Sequence, residues 1–131
     1  MALNVHLVTP EREVWGGPAE MVVAHGTDGD VGILTGHAPL LIRLAIGVLR
    51  IQVAGGAWER FVVDGGFLHV TTEEGATRVD ALATQAEAVG DVDRASAQAR
   101  VRELSERAGV EDDPVLRGEL ARATVRAELG E

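Results

Sequence analysis

Residues 1–86 are divided into short apolar segments by closely spaced glycine, proline and aspartate residues. Such segments are too short for a helix with a buried face, but about four to eight apolar residues between turn signals are typical of β-strands. Alternation is clearest in residues 49–53, where Leu, Ile and Val are separated by Arg and Gln, and it predicts one buried and one more polar side. The predicted strands cover residues 3–8, 21–24, 40–44, 48–53, 61–63, 67–72 and 77–81. We therefore expect an antiparallel β-sandwich in this part of the chain.

Two glycine-containing segments interrupt these strands. In residues 30–41 (DVGILTGHAPLL), Gly36 supplies backbone freedom and Pro39 disfavours a helical conformation of the residue before it, so we expect a sharp turn. In residues 63–70 (VDGGFLHV), the Asp-Gly-Gly sequence at 64–66 lies between two apolar runs and predicts a hairpin turn. Taken singly, each segment is also compatible with an ordinary turn of an all-β domain.

The pattern becomes helical in the last part of the chain. Apolar residues recur with three- and four-residue spacing at positions 97, 101, 104 and 108, after Asp91 and Asp93 as candidate N-caps. A second helix is predicted from Pro114, with apolar residues at positions 116, 120 and 123 on one face. The predicted fold class is α+β, mainly β: an antiparallel β-sandwich in residues 1–86, followed by an antiparallel two-helix hairpin in residues 87–131.

Composition narrows the range of functions. The net charge of -9 and the pI near 4.8 argue against nucleic acid as the main partner, because phosphate binding needs clustered positive charge. The absence of cysteine excludes thiolate metal sites and cysteine nucleophiles. No apolar run approaches membrane-spanning length, and the N-terminal sequence has no signal-peptide pattern. We therefore expect a cytoplasmic protein without a membrane anchor of its own.

Together, residues 30–41 and 63–70 resemble the N-terminal domain of the epsilon subunit of F-type ATP synthases. The first motif of that family runs approximately glycine, acid, hydrophobic, glycine, Ile, hydrophobic and Pro, and ends in Gly-His-Ala-Pro-Leu-Leu. This chain matches the motif at positions 30, 32, 33 and 36–41. It departs from the motif at Thr35, where proline is usual.

The resemblance implies a non-catalytic rotor subunit that couples proton flow to ATP synthesis. In this family the sandwich binds the gamma subunit of the central stalk and rests on the membrane ring of c subunits. The C-terminal hairpin is expected to restrain ATP hydrolysis by extending along the stalk to the catalytic beta subunits. The resemblance further implies a peripheral location at the cytoplasmic face of the bacterial cell membrane, with no catalytic residues and no metal.

The acidic residue and the histidine of the first motif face the polar loops of the c ring in this family, which points to Asp30 and His37 here. An exposed carboxylate could complement basic loops, although each exposed ion pair contributes only about 0–1 kcal/mol. The alternative for His37 is a turn histidine that makes a local hydrogen bond.

Residues 91–95 (DVDRA) resemble the hairpin start of family members that bind ATP, and Asp91 and Arg94 are the matching candidate residues. An arginine can pair with a phosphate, and a first helical turn offers unsatisfied N–H groups. Gly90 and Val101 depart from the family pattern, which has Ile or Leu at the first position and favours an arginine at the second. Regulatory ATP is thus the one cofactor that the sequence suggests, and the alternative is a capped, charged helix start.

The predicted second helix carries Arg117, Arg122 and Arg126, of which the last two lie one turn apart. In the family such residues meet an acidic segment of the catalytic beta subunits when the hairpin extends. A solvated helix face is the alternative.

Two other classes of protein stay open at this point. The four histidines, at positions 6, 25, 37 and 69, could form a metal site only if the fold brought them together. A free-standing ligand-binding β-sandwich, for example one for carbohydrate, would use exposed aromatic residues. All four aromatic residues lie beside or within apolar segments, which favours a protein-interaction module. They are Trp15, Trp58, Phe61 and Phe67.

Overall fold

A computed structural model describes residues 3–129, which form two compact units with a boundary between Ala88 and Val89. The first, the strand unit, contains the β-strands, and the second, the helical unit, contains the helices. Residues 1–2 and 130–131, at the ends of the two predicted domains, lie outside the described residues. A mainly β chain with a C-terminal pair of helices confirms the predicted fold class.

Eight strands form one sheet in the described part of the strand unit. They are β1 Leu3–Val8, β2 Glu13–Ala19, β3 Met21–Gly26, β4 Gly29–Ile33, β5 Leu40–Gln52, β6 Trp58–Glu73, β7 Ala76–Ala83 and β8 Ala86–Ala88. Their order in the sheet is β2-β1-β7-β6-β5-β3-β4, and β8 pairs with β6. All of these pairs are antiparallel except β1 with β7, which run parallel because a long connection returns the chain in the same direction.

The apolar core is enclosed by this sheet, which folds over on itself along its two longest strands. β5 has 13 residues and β6 has 16, and the two strands pair with each other along almost their whole length. β5 also pairs with β3, whereas the other edge of β6 pairs with β8 at residues 61–63 and with β7 at residues 66–73. Leu49 and Ile51 are buried and Arg50 between them is exposed, as the alternation in this segment predicted. One buried cluster collects side chains from β1 to β7, among them Leu3, Val5, Leu7, Val22, Ile33, Leu68 and Val70.

The hairpin predicted at residues 64–66 is wrong, because β6 runs through this segment without interruption. Residues 61–63 pair with β8 and residues 66–73 pair with β7, so β6 changes its neighbour at the two glycines. Gly66 has a φ of 124°, and a Cβ atom there would lie 2.0 Å from the carbonyl oxygen of Leu82. The glycine is therefore needed for a bend and for close packing of two backbones rather than for a turn.

Other strands differ from the prediction for related reasons. The predicted segments 40–44 and 48–53 form the single strand β5. β4 overlaps the segment that was predicted to turn, and β2 contains two glycines and a proline that obscured its pattern. The parallel pairing of β1 and β7 could not be predicted because pairing depends on contacts that are distant in sequence.

The helical unit consists of α1 (Arg94–Ala108) and α2 (Pro114–Ala127), after a short 3₁₀ turn at Val89–Asp91. Both helices begin where local signals predicted. Asp93 caps α1, and Asp113 caps α2 directly before the proline at its first position. Within residues 3–129, no helix is both long and apolar enough to span a bilayer.

Candidate functional site

Asp30 lies on the β3–β4 hairpin, directly opposite His25 in the antiparallel register. Gly29 adopts a φ of 126° where β4 begins, so the chain can reverse within a short turn. The Nδ1 atom of His25 lies 2.6 Å from Oδ1 of Asp30, and both side chains are exposed. An ionised carboxylate can only accept hydrogen bonds, so Nδ1 of His25 is the donor of this bond. The hairpin thus holds the Asp30 carboxylate in one orientation on the solvent-exposed surface of the strand unit.

A groove of about 380 Å³ lies between this hairpin and the start of β5. Asp28 and Asp30 line one side, and Leu41 and Arg43 line the other. The groove therefore has carboxylates, a guanidinium and an apolar side chain in its lining. Sequence reasoning identified Asp30 but missed Asp28 and Arg43, which only the strand register brings to the same groove.

His37 lies in the loop between β4 and β5, and this loop is fixed to the sheet by two threonines. The backbone N–H of Gly36 donates to Oγ1 of Thr77 at 2.7 Å, and the hydroxyl of Thr72 donates to the carbonyl of His37 at 2.7 Å. The two hydroxyl oxygens lie 3.1 Å apart, so Thr77 can donate in turn to Thr72. The ring of His37 donates through Nδ1 to the carbonyl of Ala38 at 2.7 Å. This is the local hydrogen bond of a turn histidine, and Asp30 has a different partner in His25.

Three large apolar side chains stand exposed on neighbouring strands of one sheet face, which we call the apolar face. Leu41 on β5 is 65% exposed, Phe67 on β6 is 47% exposed and Leu82 on β7 is 50% exposed. Phe67 lies directly opposite both Leu82 and Arg43 in the register. A largely apolar groove of about 410 Å³ adjoins it, lined in part by Pro10, Phe67 and Leu82. Sequence reasoning limited Phe67 to core or interface, and its exposure rules out the core.

Polar side chains occupy the next rows of the same face. His69 lies opposite Asp80 in the register, and Arg78 donates to both oxygens of Asp80 at 3.1 and 2.9 Å. This hydrogen bond and the charge of Asp80 raise the pKa of Arg78. Nearby on β1, Nδ1 of His6 lies 2.6 Å from the carboxylate of Glu13. Within residues 3–129, no three histidine, aspartate or glutamate side chains are grouped to hold a metal ion.

The candidate nucleotide residues lie at the start of the helical unit. Asp91 is exposed at the end of the 3₁₀ turn, and Arg94 donates to the carbonyl of Leu129 at 2.7 Å. Asp93, which sequence reasoning treated only as a cap, accepts from Ser96 N–H at 3.0 Å and from its hydroxyl at 2.8 Å. These hydrogen bonds lower the pKa of Asp93. One N–H group of the first helical turn is therefore already satisfied by the protein.

The three candidate arginines of α2 have contacts within the helical unit. Arg117 pairs with Asp112, and Arg126 donates to the backbone carbonyl of Arg122 at 3.2 Å. Arg122 is half-buried and its guanidinium lies beside Gly118, where an added Cβ would be 3.4 Å from Nη1. Arg122 and Arg126 are thus close together along one side of α2, while Arg117 is exposed nearer to its start.

Known proteins resemble this chain in sequence and in fold. Residues 2–89 match the family "ATP synthase, Delta/Epsilon chain, beta-sandwich domain". The ATP synthase epsilon chain of Synechococcus sp. (strain JA-2-3B'a(2-13)) is 45% identical over 105 residues, which cover 80% of this chain and 73% of that one. The epsilon chain of Microcystis aeruginosa is 39% identical over 128 residues, covering 98% of this chain and 86% of its own length.

Solved structures with the same fold include a chain of the Euglena gracilis mitochondrial ATP synthase (OSCP/F1/c-ring), with a TM-score of 0.80 and 22% identity over 96% of this chain and 78% of that one. Another is in the Tetrahymena thermophila mitochondrial ATP synthase (central stalk/c-ring), with a TM-score of 0.59 and 20% identity over 97% of this chain and 93% of that one. At these identities the likeness concerns the fold alone. The family match and the epsilon-chain relatives place this chain in the ATP synthase delta/epsilon chain family.

Proposed function

We propose that this chain is a non-catalytic subunit of the central stalk of an F-type ATP synthase and couples proton flow to ATP synthesis. The observation that carries the proposal is an exposed apolar face on a strand unit of the ATP synthase delta/epsilon chain family. A subunit that transmits rotation needs firm docking surfaces rather than catalytic groups. The large buried core beneath this face gives it such a surface.

The apolar face is the proposed contact with the gamma subunit. Full burial of one leucine or phenylalanine side chain contributes about 1.5–3 kcal/mol, so Leu41, Phe67 and Leu82 could supply much of the binding energy. The adjoining groove offers a pocket for a side chain of the partner, and buried anchors of this kind dominate many interfaces. Arg43, opposite Phe67, begins the polar rim that surrounds such an apolar centre.

The β3–β4 hairpin and the His37 loop are the proposed contact with the polar loops of the membrane ring of c subunits. Asp30 is exposed and oriented by His25, and Asp28 adds a second carboxylate to the same groove. A surface of this charge complements basic loops. His37 would take part through its loop, whose backbone the threonine contacts hold in one conformation.

The helical unit is the proposed regulator, which restrains ATP hydrolysis by reaching the catalytic beta subunits. Among residues 89–129, its buried cluster consists of Leu104, Leu116 and Ala123, and a segment with so small a core can change conformation at low cost. Arg122 and Arg126 offer neighbouring positive charges for an acidic segment of those subunits, and Arg117 extends this surface. We place the assembled subunit at the cytoplasmic face of the bacterial membrane, where it is held by the complex.

Binding to ATP synthase from which this subunit has been removed tests the central-stalk proposal. We expect Leu82→Asp to weaken binding of the full chain by at least about tenfold, because a buried carboxylate would replace an apolar contact. The matched control is Val110→Asp, since Val110 is 84% exposed on the other unit. Equal loss with both variants, or no loss with either, would contradict docking through the apolar face.

The regulatory part is tested separately by comparing ATP hydrolysis after adding back the full chain or a chain that ends at Ala88. Both should bind, and only the full chain should slow hydrolysis. Equal hydrolysis rates at equal occupancy would reduce the helical unit to a structural appendage.

Nucleotide binding at the start of the helical unit is a further part of this proposal. Arg94 would have to exchange its contact with the Leu129 carbonyl for a phosphate, which predicts weak binding. Calorimetric titration with MgATP should give heat for the full chain and less for Arg94→Ala. Absence of heat at millimolar MgATP would remove Asp91 and Arg94 from any nucleotide site.

A further inference from the structure

His25 contacts the carboxylate that the hairpin presents to its partner. We infer that His25 is a positioning residue that orients Asp30 and sets the net charge of the His25–Asp30 pair, so that docking of the β3–β4 hairpin on a basic surface depends on pH. This inference rests on the proposed function, because it takes the Asp30 hairpin to be a docking surface. It adds a residue and a pH dependence to that contact.

The His25 ring packs against the backbone of Gly47 on β5. A Cβ atom at position 47 would lie 2.9 Å from ring atom Cδ2 of His25 and 3.2 Å from its Cβ. Gly47 is buried, and its φ does not lie in the left-handed region that only glycine readily adopts. The missing side chain at position 47 therefore makes room for the ring rather than for a special backbone conformation. The ring lies on this backbone with Nδ1 directed at Asp30, 2.6 Å away.

Protonation changes the charge of this pair but not its hydrogen bond. Nδ1 donates to Asp30 in the neutral ring, so an added proton goes to Nε2 and leaves that donor in place. The pair is then negative when His25 is neutral and has no net charge when His25 is protonated. A basic partner surface is attracted to the first form and much less to the second. Docking should therefore weaken as the pH falls and His25 becomes charged.

The charged groups around His25 are fixed over the same pH range. On its own hairpin these are Asp28 and Asp30. On β5, Arg43 lines the same groove and Arg50 lies opposite Val23, on the face that carries His25. On β6, Asp64 lies opposite Ile46, next to the strand position that supports the ring. Aspartate and arginine do not ordinarily change charge between about pH 5 and 8, whereas histidine does. His37, on the other loop of the proposed ring contact, is also a histidine, so a variant at position 25 is needed to assign the pH response of this surface to His25.

The test measures binding of the full chain to membrane vesicles that contain ATP synthase stripped of this subunit, at about pH 6 and pH 8. Because an exposed pair is involved, we expect wild-type binding to be about threefold weaker at the lower pH. His25→Asn is the matched variant, since its amide can still donate to Asp30 but cannot become charged. It should bind as the wild type does at the higher pH and lose most of the pH dependence.

Asp30→Asn separates the two ideas. If it binds as the wild type does at both pH values, Asp30 is not at the interface, and the proposed ring contact fails together with the inference. If it weakens binding but His25→Asn keeps the wild-type pH dependence, the contact stands and the inference is overturned.

Discussion

The strand unit and the helical unit depend on cores of very different size. Within residues 3–129, the main cluster of the strand unit contains seventeen buried apolar residues and that of the helical unit contains three. Because hydrophobic stabilisation grows with the apolar area removed from water, most of the stability of the chain lies in the strand unit. Apolar burial therefore contributes much less to the stability of the helical unit than to that of the strand unit.

Polar links between the two helices partly replace a core in the helical unit. Arg94 donates to the carbonyl of Leu129, and Arg100 on α1 pairs with Glu119 on α2 at 3.1 Å. An exposed ion pair contributes only about 0–1 kcal/mol, so it sets the alignment of the helices more than their stability. This difference between the units supports the proposal that the strand unit docks and the helical unit regulates.

The largest expected effect is a loss of stability of the strand unit when Gly66, at the bend in β6, is replaced. Gly66→Ala places a Cβ atom 2.0 Å from the Leu82 carbonyl oxygen and forces a non-glycine residue to a φ of 124°. Strain of this kind and steric overlap with a backbone each cost on the order of 1–3 kcal/mol, so we expect a loss of about 4 kcal/mol in the free energy of unfolding. Urea unfolding followed by the signal of the strand unit measures this loss.

Gly29→Ala is the matched control for that prediction. Gly29 has nearly the same φ, 126°, but no atom lies within 4 Å of an added Cβ. Its cost should therefore be limited to backbone strain, about 1–2 kcal/mol. Equal costs at the two glycines would mean that close packing on Leu82 is not what requires glycine in β6.

Structural elements could be predicted from the sequence where the signal for them is local. β1 and the starts of both helices were predicted because a short apolar segment, Asp93 and Pro114 are signals that act within a few residues. The glycine pair in β6 was misread because a bend and a hairpin turn use the same residues. Only the partners on either side distinguish them, and those partners are distant in sequence.

The residues of the candidate site likewise divide into those found from a local motif and those that only the strand register brings together. Asp30 and His37 were found from a local motif, but the pairing of Asp30 with His25 follows from the register of β3 with β4, and β4 had been predicted as a turn. The apolar face likewise joins Leu41, Phe67 and Leu82 from three strands. No local signal distinguishes such exposed residues from buried ones with the same hydrophobicity.

An intermediate effect sharpens the comparison between the two cores. Leu104 is fully buried in the three-residue cluster, and Leu104→Ala should cost the helical unit about 3 kcal/mol. Because Leu104 is one of three residues in that buried cluster, the helical signal in circular dichroism should be largely lost while the strand unit still unfolds at its original urea concentration. Leu68→Ala makes the same deletion at an equally buried position of the strand unit. We expect this variant to stay folded with a lower midpoint, and a single shared transition in both variants would contradict independent cores.

The smallest effect concerns the cap of α1 and its dependence on pH. Hydrogen bonds from the N–H and the hydroxyl of Ser96 lower the pKa of Asp93 in the folded chain. A carboxylate with a lowered folded pKa stabilises the fold at pH values above its unfolded pKa of about 3.9, and this contribution is lost as the pH falls through the folded value. The thermal unfolding of the helical unit, followed by its helical signal between about pH 2 and pH 6, should therefore move to lower temperature at the acid end.

Asp93→Asn keeps a good N-cap that does not titrate, so it should reduce this shift. Asp91→Asn alters an exposed carboxylate outside α1 and should leave the shift unchanged. If Asp93→Asn retains the full acid shift, other carboxylates are responsible, and capping by Asp93 adds no pH dependence to the weaker unit.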